Sequence, residues 1–217
     1  MAFFEGYAAV PQQITQNHDY FRLVTSMFMH AGLMHLAGNM LFLLVFADNL
    51  ESVFGHVGFI AFYLICGVAS FMAQVISVPD SQIPAVGASG AIAGVMGGFM
   101  ILFPWARIKV FIPVLFFMGT FWLRAWLVLG IWFGWQMFSA YLQFGVDGGG
   151  VAFAAHAGGF FVGVVLTLPI RVIRGHPDTW PTKKDTIERI ERPKVDLRAM
   201  RKSRTPRTGS NTKETSL

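Results

Sequence analysis

Long apolar runs occupy most of this chain and leave few folds open to it. A helix needs about 20 mainly apolar residues to cross a lipid bilayer. Runs of roughly this length lie at residues 30–47, 57–78, 85–103, 123–143 and 150–170. Polar or Gly/Pro-containing turns separate the runs at residues 48–51, 79–84, 104–109 and 145–150. The pattern predicts an all-α fold, a polytopic membrane helical bundle with five visible spans.

A shorter apolar stretch, Val110–Thr120, follows the third run. It holds only 11 residues, which is too few to cross a bilayer. Pro113 also interrupts it, and proline breaks a helix interior. We therefore predict an interfacial or re-entrant segment here rather than a further span.

The charged residues divide the chain into an apolar body and a basic tail. They make up 13% of the sequence, against 54% for hydrophobic residues. Residues 1–170 contain four basic and six acidic residues, whereas residues 171–217 contain thirteen basic and six acidic ones. The division predicts an outer-side loop at residues 1–29, a membrane domain at residues 30–170 and a basic, disordered cytoplasmic tail at residues 171–217.

The same charges predict how the bundle is oriented in the membrane. Cytoplasmic loops carry an excess of Lys and Arg, so the tail and the loop with Arg107 and Lys109 are expected inside. The loops at residues 79–84 and 145–150 are then outside. We expect a multi-pass protein of the cell (plasma) membrane, in contact with the lipid bilayer. Since the basic tail reports topology, no nucleic-acid partner is expected.

Polar side chains at membrane depth are costly and therefore mark candidate functional sites. His30, His35 and Asn39 lie at the start of the first run, Ser89 early in the third and His156 early in the fifth. In the predicted topology all of them enter from the outer face. At 1.5 Å per residue, Ser89 lies about 6 Å and His156 about 9 Å below the start of its run. The two side chains are therefore expected at similar depth.

Small residues favour a close approach of the third and fifth spans. They share helix faces with Ser89 and His156, at Ala93 and Gly97 on the third run and at Gly159 and Gly163 on the fifth. Small faces let membrane helices pack closely, because association in lipid depends on packing. A hydroxyl held beside an imidazole is the minimum for nucleophilic catalysis, since the imidazole takes the hydroxyl proton.

A carboxylate partner for the histidine is missing, since neither of these two runs contains Asp or Glu. Asp147, in the loop before the fifth run, is a weak candidate. We therefore predict a Ser–His dyad, with Ser89 as nucleophile and His156 as general base. His35 and Asn39 are four residues apart and so share a helix face. Together with the backbone N–H of Ser89, they are predicted to stabilise an oxyanion.

Each of these residues also has a purely structural interpretation. Ser89 fits a small packing residue, His156 a satisfied buried histidine, and His35 with Asn39 a hydrogen bond between helices. His30 fits either an additional donor or a structural cap. A metal or haem site is disfavoured because neither an HExxH spacing nor a membrane carboxylate occurs. A transporter is disfavoured because the sequence shows neither a repeat nor a charge pair. We expect no cofactor.

Three ordered motifs contain the candidate residues. They are His30-x-x-x-x-His35-x-x-x-Asn39, Gly87-Ala88-Ser89-Gly90-Ala91 and His156-x-x-Gly159-x-x-x-Gly163. Phe21-Arg22 and Thr25-Ser26-Met27-Phe28 precede them. With these motifs the sequence resembles the rhomboid family of intramembrane serine proteases, over about residues 20–170.

The resemblance implies a role for each matched residue: nucleophile for Ser89, base for His156, oxyanion hole for His35 and Asn39, and auxiliary candidates in His30 and Gly87. It also implies cleavage of the transmembrane segments of other membrane proteins, without a metal or nucleotide. The alternative is a catalytically inactive rhomboid-like protein that binds membrane helices for quality control or trafficking. Such relatives usually lack the serine or the histidine, and this chain has both.

The chain also departs from the family pattern. The resemblance implies six helices, but only about twenty residues precede Phe21, so the usual first transmembrane helix is not visible. We favour a truncated start over a protein of five spans. Ala93 stands where some members carry a Tyr that supports the catalytic histidine ring.

Overall fold

The computed structural model describes residues 6–114, 117–143 and 152–175. The main helices are α1 (Pro11–Asn17), α2 (Arg22–Thr25), α3 (Leu33–Ser77), α4 (Ser89–Leu102), α5 (Ala125–Gln143) and α6 (Phe153–Arg174). Two strands, β1 (Arg107–Val114) and β2 (Phe117–Arg124), lie between α4 and α5. Contacts divide the chain into two units, Met1–Trp180 and Pro181–Leu217. The described elements all belong to the first unit. The predicted disordered tail from residue 176 onward and the predicted loop at 145–150 lie outside the described residues.

Helix α3 contains both of the first two predicted spans in 45 residues. Its backbone is interrupted at Gly55, whose φ of 72° and ψ of 168° suit glycine but strain other residues. The turn predicted at residues 48–51 is therefore wrong, because those four residues are helical. None of them is Gly or Pro, so the helix continues to the first glycine that follows.

The two halves of α3 pack against the same helix, α4. Leu50 and Phe62, on either side of the interruption, both approach Gly98 near the end of α4. Ser70, further along the second half, approaches Gly90 near the start of α4. The second half of α3 therefore runs antiparallel to α4.

Helix α4 is shorter than the predicted span at 85–103, because it begins only at Ser89. Its 14 residues cover about 21 Å, less than the hydrocarbon core of about 30 Å. Residues 90–99 are all buried, so protein rather than lipid surrounds this helix. Ahead of it, Ala85 exchanges two backbone hydrogen bonds with Ala9, at 3.1 and 2.8 Å.

The segment predicted as interfacial or re-entrant, Val110–Thr120, belongs to a two-stranded antiparallel hairpin. Arg107 pairs with Arg124 and Val110 with Phe121. Apolar length does not reveal such strands, whereas the local content of β-branched and aromatic residues favours them. The hairpin is the exception in an otherwise helical fold.

Three of the described helices, α3, α5 and α6, are long and apolar enough to cross a membrane. Helix α6 continues to Arg174, four residues beyond the end of the predicted fifth run. Arg171 and Arg174 lie in its last turn, where positive charge is favourable to the helix dipole. The prediction of an all-α, polytopic membrane bundle is confirmed.

Candidate active site

Ser89 and His156 lie side by side at one end of the bundle. Ser89 is the first residue of α4, and His156 lies in the first turn of α6. Both are therefore nearer to their helix starts than the predicted depths imply. The Ser89 Oγ lies 2.8 Å from the His156 Nε2, which is hydrogen-bond distance. In this geometry an imidazole can accept the proton of a serine hydroxyl.

Glycines let α4 and α6 approach closely enough for this contact. A Cβ atom added at Gly159 would lie 2.0 Å from the carbonyl oxygen of Gly90. One added at Gly163 would lie 2.0 Å from the carbonyl oxygen of Gly94. The predicted face of α6 is thus confirmed. On α4, the predicted Gly97 also faces α6, since a Cβ atom there would lie 2.3 Å from the carbonyl oxygen of Phe160, and Gly90 and Gly94 share this face.

His35 and Asn39, on the first turns of α3, lie against the backbone that leads into Ser89. A Cβ atom added at Gly87 would be 2.9 Å from the His35 Nε2 and 3.6 Å from the Asn39 Nδ2. The φ of Gly87 is 123°, a conformation that favours glycine. The Ala31 N–H donates to the His35 Nδ1 at 3.3 Å, so the His35 Nε2 carries the ring proton. His35 and Asn39 therefore both present donors beside Ser89.

The Asn39 amide has unused hydrogen-bonding capacity. The residue is 7% exposed, and its Nδ2 has no hydrogen-bond partner among the described residues. An unpaired buried donor is costly. The start of α4 adds further donors, since the first N–H groups of a helix have no partner within the helix. Ser89 holds that first position.

His30 lies beside this group rather than within it. Its ring centre is 5.3 Å from that of His35 in an edge-on arrangement. Burial, and to a lesser extent the charge of His35, lowers the pKa of His30. The His30 ring thus forms part of the packing around His35.

A cavity of about 600 Å³ joins the candidate residues. Its lining includes His35, Asn39, Gly87, Ser89 and His156. The structure thus brings together five of the six residues that the sequence predicts for the site, and places His30 behind His35. A cavity of this size holds on the order of 20 water molecules, so it has room for part of a substrate and for water.

Two residues of α5 complete the surroundings of His156 and were not predicted. The His156 Nδ1 lies 2.8 Å from the Gln136 Oε1. The Trp132 ring centre lies 6.0 Å from that of His156, with the planes tilted by 34°. The signal for Gln136 was available, because a polar side chain within a spanning helix is costly wherever it occurs.

Comparisons with known proteins agree with this architecture. A family model described as Rhomboid domain matches residues 17–172. RHOMBOID-like protein 6, mitochondrial, from Arabidopsis thaliana is 35% identical over 89 residues, 41% of this chain and 28% of that protein. Presenilin-associated rhomboid-like protein, mitochondrial, from Mus musculus is 29% identical over 172 residues, 76% of this chain and 41% of that protein. Inactive rhomboid protein 1 from Drosophila melanogaster is 36% identical over 89 residues, 41% of this chain and 6% of that protein.

The chain spans less than half the length of these relatives. The Arabidopsis and mouse proteins are named as mitochondrial, so they do not support the predicted location in the plasma membrane. An integral, multi-pass membrane protein is supported by the spanning helices and the family match. Because that match extends over residues 17–172 of 217, the chain belongs to the rhomboid family.

Proposed function

We propose that this chain is an intramembrane serine endopeptidase that cleaves transmembrane segments of other membrane proteins. The observation that carries the proposal is the 2.8 Å contact between the Ser89 Oγ and the His156 Nε2. A hydroxyl paired with an imidazole is the arrangement that activates a serine nucleophile. Membership of the rhomboid family supports the same reaction class.

In the proposed reaction, the His156 Nε2 takes the Ser89 proton as the Oγ attacks the carbonyl carbon of the scissile peptide bond. The protonated His156 then gives that proton to the leaving amine, so that the C–N bond breaks and an acyl-serine remains. Water from the cavity attacks this ester with His156 again acting as base. Hydrolysis releases the carboxyl product and restores the Ser89 hydroxyl.

The tetrahedral intermediates carry a negative oxygen that needs donors already in place. We assign this role to the Asn39 Nδ2, the His35 Nε2–H and the N–H groups at the start of α4. The free Asn39 amide supports the assignment, because its donor is buried without a partner among the described residues. Gly87 supports it indirectly, since any side chain there would displace His35.

We infer that the Ser89–His156 end of the bundle faces the outer side and that the opposite end is cytoplasmic. Helices α4 and α6 both begin at the site, so they both end at the opposite side. Basic residues lie in the last turn of α6, at Arg171 and Arg174, and in the hairpin after α4, at Arg107, Lys109 and Arg124. Positive charge flanks spanning helices on the cytoplasmic side. Residues 1–29 would then be an outer segment and the basic residues 171–217 would continue into the cytoplasm.

A second candidate function is the binding of membrane helices without cleavage, in quality control or trafficking. The Drosophila relative, named Inactive rhomboid protein 1, gives this alternative its support. The hydrogen-bonded Ser89 and His156 favour the protease, because a silent binding protein has no need of an activated serine.

A serine-directed probe tests the proposal directly. We expect a fluorophosphonate to label the purified protein in detergent and peptide mass spectrometry to locate the label on Ser89. A matched internal control is Ser139 of α5, a buried serine that should stay unlabelled. The same preparation in proteoliposomes should cleave a single-span reporter protein. Absence of both labelling at Ser89 and cleavage would exclude the protease.

Asn39→Ala is expected to lower kcat by about 100-fold while leaving KM nearly unchanged. Loss of one oxyanion donor acts mainly on the transition state. The measurement is steady-state cleavage of the reporter in proteoliposomes. Asn49→Ala is the matched control, since Asn49 lies on the same helix but is exposed and does not line the cavity. An Asn39 variant with the kcat of the Asn49 variant would remove Asn39 from the oxyanion hole.

A further inference from the structure

We propose that Gln136 is a positioning residue that fixes the tautomer and ring orientation of His156, in the place where a carboxylate stands in a three-residue triad. The inference rests on the proposed protease function. It goes beyond the Ser–His dyad, because it assigns Gln136 as a fixed hydrogen-bond partner to the His156 Nδ1, the ring nitrogen that does not contact Ser89.

The hydrogen bonds on the two sides of the His156 ring carry the proposal. The Gln136 Oε1 lies 2.8 Å from the Nδ1, and the Ser89 Oγ lies 2.8 Å from the Nε2. A carboxamide oxygen only accepts, so the Nδ1 must donate to it and must carry the ring proton. The Nε2 is then unprotonated and is free to accept the Ser89 proton. Gln136 thus selects the tautomer that a general base needs.

The placement of Gln136 on α5 argues against a chance contact. Its neighbours Trp135 and Met137 are 61% and 48% exposed, whereas Gln136 is 5% exposed. The side chain therefore belongs to the one face of α5 that packs on the bundle. A buried amide in a membrane helix is costly unless its groups are bonded. Its bonded partner here is the reactive histidine.

Trp132 supports the same ring from one turn earlier on α5. Residues four apart share a helix face, so Trp132 and Gln136 approach His156 together. The Trp132 ring centre is 6.0 Å from that of His156 and 5.9 Å from that of Phe160. Phe160 lies one turn after His156 on α6. Helix α5 thus holds the histidine both by a hydrogen bond and by ring packing.

An amide, rather than a carboxylate, fits the surroundings of this histidine. A carboxylate buried at this depth would have to be paired or neutralised. Among the described residues that line the cavity with His156, the other titratable one is His35, and none is Lys or Arg. A neutral acceptor orients the imidazole without adding a charge. It also stabilises the imidazolium less than a carboxylate would.

Two substitutions separate positioning from simple packing. Gln136→Leu removes the acceptor at similar volume and is expected to lower kcat by about 10- to 100-fold, because the Nδ1–H is left unpaired. Gln136→Glu keeps the shape and restores an acceptor, so it should recover activity relative to Gln136→Leu. Ser139→Ala, at a buried position of the same helix, is the control for altered packing and should keep the wild-type rate.

The pH profile gives a readout that packing alone would not change. A carboxylate at residue 136 would pair with the protonated His156 imidazole beside it, so His156 becomes a free base only at higher pH. The rising limb of kcat against pH should therefore move to higher pH by about one pH unit or more in Gln136→Glu. An unmoved limb in Gln136→Glu, or a wild-type kcat in Gln136→Leu, would overturn the proposal.

A measurement without turnover keeps this inference distinct from the protease itself. With ¹⁵N-histidine label, the ring nitrogens of His156 can be assigned by comparison with His156→Ala. We expect a protonated Nδ1 and an unprotonated Nε2 in the wild-type protein, and loss of that preference in Gln136→Leu. A protonated Nε2 in the wild-type protein would refute the role of Gln136 even in an active enzyme. The expected tautomer in a protein that neither cleaves nor takes the probe would instead refute the protease and leave the orienting bond in place.

Discussion

Ser89→Ala is expected to lower the rate of reporter cleavage by at least about 10⁴-fold. The hydroxyl supplies the attacking atom of the proposed mechanism, and removal of the serine nucleophile from another serine protease costs about 10⁶-fold in kcat. Water in the cavity is a poor substitute, because it is not held in the 2.8 Å contact that Ser89 makes with His156. The measurement is cleavage of a single-span reporter by equal amounts of each protein in proteoliposomes.

The fold of the Ser89→Ala variant should be unaffected, so a loss of cleavage can be attributed to the missing hydroxyl. The substitution removes one oxygen at the first position of α4 and leaves the glycine contacts with α6 in place. Its thermal unfolding midpoint should stay close to that of Ser139→Ala, which should also cleave at the wild-type rate. Equal cleavage by Ser89→Ala and the wild-type protein would show that the chemistry lies elsewhere or belongs to a contaminant.

The parts of this fold that could be predicted depend on local sequence. Apolar length predicted helices α5 and α6, which begin within three residues of their expected starts. The small residues on one face of α6 correctly predicted its close contact with α4. Ser89 and His156 could be paired because each is a polar residue at the start of an apolar run, and runs that begin on the same side of a membrane place such residues at one level.

The parts that could not be predicted depend on competing contacts. The charged residues Asp48 and Glu51 predicted a turn, but a helix accepts charged residues where they are not exposed to lipid. The chain turns at Gly55 instead, because glycine tolerates a positive φ. The segment before Ser89 is held out of the helix by its pairing with Ala9, a contact far away in sequence. Gln136 could have been singled out as a polar residue in a spanning helix, but its partner His156 becomes visible only when α5 lies against α6.

The buried position of α4 explains how a short helix can carry the proposed nucleophile. A helix of 14 residues cannot cover the bilayer core by itself, so its ends lie within protein-lined space. Its first residue, Ser89, therefore opens into the cavity rather than into lipid. The cavity thus has room for the water that the proposed hydrolysis requires.

Gly163→Ala is expected to lower cleavage by more than about 100-fold and to destabilise the bundle. The new Cβ would lie 2.0 Å from the carbonyl oxygen of Gly94 and 2.7 Å from its carbonyl carbon. Both are backbone atoms, so the clash is relieved only if α4 and α6 separate. His156 is carried on α6, and a misplacement of about 1 Å in a catalytic group costs about 100-fold. Overpacking also destabilises, typically by about 1–3 kcal/mol.

Gly134→Ala on α5 is the matched control for this prediction, because a Cβ at Gly134 meets nothing within 4 Å. Helix propensity favours alanine over glycine by about 1 kcal/mol, so propensity alone would make both variants slightly more stable. Opposite signs are expected: a lower thermal unfolding midpoint with loss of cleavage for Gly163→Ala, and an unchanged or higher midpoint with wild-type cleavage for Gly134→Ala. If Gly163→Ala matched Gly134→Ala in both measurements, the close contact of α4 and α6 would not be what holds His156 against Ser89. The separation of the two helices, rather than the loss of any polar group, is therefore the variable that this pair of variants isolates.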